Sequence, residues 1–245
     1  HLMRKYFILF ALINSLILFS QEIPPEVPSG YFNSTTLKIS YFLGRLKLIK
    51  QDIPIPQDIK EYKDIVYKTI DSTKLKLDIY HSKNTVKPAP LLIFIHGGGW
   101  IKGDKHDYLI YLVDFAQKGY ITATIQYRLV NKAKMPAQIL DVKSAVIWLK
   151  KHAMDYNIDV DNIAVIGGSA GGHLALMTAY SSDAPAFSVI KDSLYTSRVQ
   201  AVVNFYGPMD LTTEYARNHS TIKNAFNKSL VKTLKFMPRL LRFLT

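Results

Sequence analysis

From Ile65 to Tyr206 the hydrophobic positions follow two different rhythms. "IVYKTID" (65–71) and "LKLDIY" (75–80) alternate apolar and polar residues on either side of "STK", which predicts a pair of strands joined by a tight turn. Beyond them the strand-like runs lose their polar face. "PLLIFIHGGGW" (90–100), "YITATIQYR" (120–128), "NIAVIGG" (162–168) and "VQAVVNFYG" (199–207) each begin with a nearly continuous apolar stretch. Runs of that kind belong to strands covered on both faces. Helix signals lie between them. Asp104 stands where an N-cap would begin a helix running to Lys118, with Asp107 three residues on and Gly119 as its stop. Pro136 opens a second helix, with Ile139, Val142, Val146 and Leu149 on one face. "GHLALMTAY" (172–180) reads as a third. Strands alternating with helices predict an α/β fold, with a mostly parallel sheet and helices on both faces.

The chain before this region is different. Phe7 to Phe19 is an apolar stretch broken by Asn14 and Ser15, preceded by Met3-Arg4-Lys5 and followed by polar, proline-rich sequence. That layout predicts a signal peptide over residues 1–20 and a secreted or periplasmic protein. The stretch is short for a membrane span, which takes about 20 apolar residues, so no stable membrane insertion is expected once the signal is removed. An uncleaved N-terminal anchor is the alternative. Residues 21–60 read as a linker and N-terminal extension, with Pro24, Pro25 and Pro28 opposing regular structure. Residues 61–245 form the remaining domain.

Composition narrows the chemistry. The 245 residues contain no cysteine, which excludes disulfides, thiolate metal sites and a cysteine nucleophile. The net charge is +12, and six of the basic residues fall between Asn218 and Thr245, where no acidic residue stands. A solvated basic helix face accounts for such a segment. A nucleic-acid partner is not expected, since no zinc-finger or RNA-binding signature accompanies the charge.

The candidate chemistry centres on Gly167-Gly168-Ser169-Ala170-Gly171, which fits G-x-S-x-G. A serine on a sharp strand-to-helix turn has its hydroxyl exposed above the sheet edge, and the close approach of strand and helix leaves room only for small neighbours. The helix that follows adds a positive partial charge at its N-terminus. The motif alone also fits a serine in a glycine-rich turn. The buried strand before it, the helix after it and a second motif favour the nucleophile. That second motif, His96-Gly97-Gly98-Gly99-Trp100, also ends a buried strand. Its glycines leave backbone N–H groups unobstructed. A phosphate-binding loop is the alternative, but neither G-x-G-x-x-G nor a P-loop lysine is present. His96, fixed in the loop, reads as a brace rather than a base.

These motifs resemble the α/β-hydrolase superfamily, in particular the HGGGW-loop esterases related to hormone-sensitive-lipase-like enzymes and to acyl-sugar and feruloyl-type esterases. The resemblance runs from about Val66 to about Leu211 and includes "HGGGWIKGDK", "YRL", "PAQILDVKSAVIWL", "IDVDNIAVIGGSAGGHLALM" and "VVNFYGPMDL". It implies a Ser169 nucleophile and an oxyanion hole from the amides of Gly97, Gly98 and Ala170. It also implies hydrolysis of short-chain or sugar-linked acyl esters, with neither organic cofactor nor metal. Amidase or formamidase activity is the runner-up within that fold, and a non-catalytic remnant is the reading outside the enzyme class.

The family order is Ser, then Asp or Glu, then His. Asp210 in "YGPMD" is the late carboxylate in position for the acid, although the corresponding residue of the resembling esterases is structural. His173 is part of the "SAGGHLA" helix and reads as a packing residue. His219 lies in polar "RNHSTI". After Tyr206 the sequence is too short for two more strand–helix units. The expectation is therefore a hydrolase domain whose C-terminal strands are missing, with the acid and the catalytic histidine beyond Thr245.

Overall fold

The computed structural model describes residues 53–181, 184, 187, 189 and 194–211, within a compact unit that begins at Ile53. The predicted signal peptide, most of the predicted linker and N-terminal extension, His219 and the basic segment from Asn218 lie outside the described residues.

The predicted strand pair is present as β1 (Ile59–Ile70) and β2 (Thr73–Ser82), paired antiparallel. β1 starts six residues earlier than the alternation indicated. Two register shifts, between Tyr62 and Ile65 and between Val66 and Lys68, change which side chains face inward and so interrupt the rhythm along the strand. The apolar runs become β3 (Ala89–Ile95), β4 (Ile121–Ile125), β5 (Ile158–Gly168) and β6 (Ala201–Phe205). The sheet order is β1-β2-β4-β3-β5-β6. β2 joins β4 antiparallel, and β4, β3, β5 and β6 run parallel. The mostly parallel sheet is thus as expected, with the antiparallel hairpin at one side.

Among the described residues three helices cover it: α1 (Leu109–Gln117), α2 (Ala137–Lys151) and α3 (Ala170–Tyr180). α1 packs on β2 and β4 over a small core of Ile59, Tyr80, Phe94, Leu112, Val113, Ala116 and Ile166. α3 packs on β5, β6 and β3, and α2 lies against α3, β1 and β5, within the larger core. The four apolar positions predicted for α2, Ile139, Val142, Val146 and Leu149, are all buried. β4 shows why it tolerates two threonines in a fully buried strand: the Thr122 hydroxyl donates to the Leu112 carbonyl at 3.0 Å and that of Thr124 to the Lys105 carbonyl at 2.6 Å.

One helix differs from expectation. The segment after Asp104 is not continuous α-helix. Lys105–Tyr108 is a 3-10 turn, and α1 begins only at Leu109. Asp104 does cap that turn, with Asp107 closing the reciprocal capping box. The cause of the break is Lys105, whose side chain is buried and paired with the fully buried Asp78 of β2. Asp78 is also held by the Asp64 amide at 2.7 Å, and this second bond compensates the desolvated carboxylate further. A buried ion pair at the first turn fixes the backbone there more strongly than helix propensity does.

Candidate active site

β5 ends at Gly168, α3 begins at Ala170, and Ser169 makes the whole turn between them. Its backbone has φ 54° and ψ −121°, a left-handed conformation uncommon for a residue with a Cβ. Such strain persists only where the surroundings over-determine it, and here they do. The Ser169 N–H donates to the Phe205 carbonyl at 2.9 Å, and its carbonyl accepts from the His173 N–H at 3.1 Å. Ser169 itself is half-buried. The glycines around it are places of contact. A Cβ on Gly171 would overlap the carbonyl oxygens of Ile95 and His96, and one on Gly167 would overlap the backbone of Gly171. A Cβ on Gly168 would stand 2.8 Å from the Tyr108 hydroxyl and 3.0 Å from that of Tyr206, so two phenols converge beside the serine. Tyr206, itself at φ 46°, is 84% exposed.

The loop after β3 meets this turn directly. A Cβ on Gly97 would lie 2.8 Å from the Gly168 carbonyl oxygen and 3.6 Å from the Ser169 Cβ. Gly98, Gly99 and Trp100 follow in succession at φ 97°, 60° and 62°, a run that glycine adopts readily and that turns the chain back on itself. The Gly98 carbonyl accepts from the N–H groups of both Ile101 and Lys102. Among the described residues no carbonyl accepts from the N–H of Gly97, Gly98 or Ala170. The loop is fixed from the other side by the segment leaving β4. Tyr127 stacks on the His96 ring at 4.2 Å between centroids, and its hydroxyl donates to the His96 carbonyl at 2.9 Å. The Val130 N–H donates to the Trp100 carbonyl at 2.9 Å.

That segment has its own anchor, which the hydrophobic pattern does not announce. Asp141 of α2 is fully buried and takes Nε and Nη2 of Arg128 at 2.7 and 2.9 Å, the Arg128 amide at 3.1 Å and Lys68 Nζ at 2.8 Å. A planar, bidentate pair fixes direction as well as charge. Asp141 stands beside the apolar stripe of α2 rather than in it, and Gln138 and Lys143 of the same helix are buried as well.

The histidines are arranged as follows. His96 is buried, its Nδ1 lies 3.0 Å from the Gly97 carbonyl, and burial lowers its pKa from the ordinary value. His173 is buried in α3 with Trp100 edge-on at 5.3 Å, and burial pushes its pKa down to about 4. Asp210 is exposed, beyond the end of β6, where Asn204 closes the turn by accepting from the Gly207 N–H at 2.8 Å. Among the described residues no cluster of three His, Cys, Asp or Glu side chains is arranged to hold a metal, and no helix is long and apolar enough to cross a membrane.

Comparison with known proteins gives a consistent set of relatives. The BD-FAE family model matches residues 77–241. The probable carboxylic ester hydrolase LipM of Mycobacterium tuberculosis is 38% identical over 145 residues, 59% of this chain and 33% of its own length. Esterase LipC of the same organism is 35% identical over 137 residues, 55% of this chain and 34% of its own. The chain therefore spans about a third of the length of these curated relatives. Among solved structures, the propionate-bound thermophilic esterase Est2 of Thermogutta terrifontis superposes with a TM-score of 0.58 at 27% identity, over 69% of this chain and 63% of that one. A bifunctional GH43-CE protein of Bacteroides eggerthii gives 0.61 at 26% identity, over 71% of this chain and 28% of its own.

Proposed function

Because this chain belongs to the BD-FAE family and has the α/β-hydrolase fold of its esterase relatives, we propose that the protein is an exported serine hydrolase of carboxylic esters, acting on short-chain or sugar-linked acyl groups through an acyl-enzyme on Ser169. The observation that carries this reading is the strained turn at Ser169 set against Gly97, with the amides of Gly97, Gly98 and Ala170 claimed by no carbonyl among the described residues. Three such donors suit the oxygen of a tetrahedral intermediate, where each is worth about 3 kcal/mol of transition-state stabilisation.

In the proposed mechanism the Ser169 hydroxyl attacks the ester carbonyl as a histidine removes its proton. The carbonyl oxygen gains negative charge and is held by the three amides. Collapse expels the alcohol, which takes the proton back from the histidine, and water then repeats the sequence on the acyl-enzyme. Neither His96 nor His173 is assigned the role of base. Each is buried with a lowered pKa, so each favours the neutral form but resists the proton it would have to accept. In this reading the base and its carboxylate come from chain following β6, outside the described residues. The sugar-linked part of the proposal is supported by the rim of the site. Tyr206 and, at 51% exposure, Phe205 present flat rings to solvent beside the turn, and the hydroxyls of Tyr108 and Tyr206 converge on Gly168. Rings with polar tips suit a ligand that is apolar on one face and hydroxylated at its edge.

The test is hydrolysis of 4-nitrophenyl acetate by the full-length protein and by its Ser169→Ala variant. The variant is expected to lose at least about 1000-fold in kcat/KM, the scale of losing a triad member. Hydrolysis by the variant at the wild-type rate removes Ser169 from the mechanism.

A further inference from the structure

A concavity of about 220 Å³ is walled by His96 of the HGGGW loop and by Gly103 just after it, but not by Gly97, Gly98 or Ser169. Its remaining walls come from the start of β2 and from the segment leaving β4, and they are rich in hydrogen-bond donors. Lys74 and Lys132 both line it, and neither has a carboxylate or carbonyl partner among the described residues. Arg128 lines it as well. Its Nε and Nη2 are bound to Asp141, leaving Nη1 without an acceptor among the described residues. The Gln126 side chain accepts from the Lys76 N–H through Oε1 at 3.2 Å, which leaves its amide N–H₂ unclaimed there too.

The acidic groups do not balance these donors. Asp104, also in the wall, is engaged at Oδ1 by the His106 N–H at 2.9 Å and by the His106 ring. Asp141 is shared between Arg128 and Lys68, so one buried carboxylate faces two cations. Lys74 and Lys132 then add two positive charges to the wall against the single carboxylate of Asp104, so the wall is left with cationic charge in excess. Four donors from two separate segments, the start of β2 and the chain leaving β4, face one small space, with cationic charge in excess and a fixed guanidinium among them. Such a space is complementary to a compact, planar or tetrahedral group of oxygens carrying negative charge.

We infer that this concavity is a binding site for a small oxyanion, a carboxylate or a phosphate group. Its occupant would accept from Arg128, Gln126, Lys74 and Lys132. It would also tie the start of β2 to the segment leaving β4, beside the wall formed by His96 and Gly103. The inference is independent of the ester-hydrolase reading, because it is read out by binding and not by turnover.

The experiment is thermal unfolding of the full-length protein in increasing inorganic phosphate and, separately, in increasing succinate, each at constant ionic strength set with sodium chloride. A bound ligand raises the melting temperature saturably, whereas general screening does not. A saturable rise with phosphate alone identifies a phosphate site, and one with succinate identifies a carboxylate site. The Lys74→Gln/Lys132→Gln double variant changes two exposed side chains and is expected to weaken the apparent affinity at least about tenfold. Lys151→Gln, an exposed lysine outside the concavity, is expected to leave it unchanged. Absence of a saturable rise with either anion overturns the inference, as does an equal rise in the double variant and the wild type.

Discussion

His173 shows how a residue's surroundings set its chemistry. Burial lowers its pKa to about 4, so it stays neutral in the folded protein at pH values where a histidine in the unfolded chain, with an ordinary pKa near 6.5, takes up a proton. Between these values the unfolded state binds more protons, so stability is complete above pH 6.5 and falls as the pH falls towards 4. The loss expected from this residue is on the order of 3 kcal/mol by pH 4. Burial of His96 acts in the same direction. Urea unfolding at pH 7, 5.5 and 4.5 checks this. The His173→Gln variant is expected to lose markedly less stability over that range than the wild type, and equal slopes would mean that His173 takes up its proton without unfolding. The imidazole's packing role was readable from its place in a helix of small and apolar residues. Its partner Trp100 was not, because that contact joins the loop after β3 to a helix far away in sequence.

At the scale of elements the decisive contact is the crossing of α3 over the ends of β3 and β5. Gly171 sits where the helix touches strand backbone, and a Cβ there would overlap the Ile95 and His96 carbonyls. Backbone atoms cannot turn aside as a side chain does, so Gly171→Ala is expected to cost about 3 kcal/mol or more, together with Ser169-dependent activity. Gly119, at φ 91° with nothing near its Cβ position, provides the contrast. Gly119→Ala carries backbone strain alone, about 1 kcal/mol. Differential scanning calorimetry of the two variants separates the effects, and similar melting temperatures would show that α3 can lift off the sheet. The element pattern made the crossing predictable, since G-x-S-x-G between an apolar run and a helix leaves little other use for so many small residues. It did not make the split of the helix after Asp104 predictable. That depends on Lys105 reaching Asp78, and a lysine in a helix-like run gives no sign that it will be buried.

For the whole molecule, the sheet order places β3 between β4 and β5, and that order brings the HGGGW loop, the Ser169 turn and the Tyr127–Arg128 segment to one end of the sheet. The proposed export is tested on the entire chain. Protein recovered from the periplasm or the medium is expected to begin near Gln21 on N-terminal sequencing, and recovery in the membrane fraction still carrying Met3 would replace export with anchoring. What the sequence by itself determined was local. Strand and helix types follow from the period of burial, and the tight turn at Ser169 and the loop glycines follow from the steric demand of close backbone approach. The α2 stripe follows from its 3.6-residue rhythm. What only the tertiary structure decided was which distant charges and rings meet: Lys105 with Asp78, Arg128 and Lys68 with Asp141, Tyr127 with His96, and two tyrosines over Gly168. The physical reason is that hydrophobic burial is periodic and non-directional, so it leaves a trace in the order of residues. A buried ion pair or a directed hydrogen bond depends on the relative placement of segments, which exists only after the sheet has assembled.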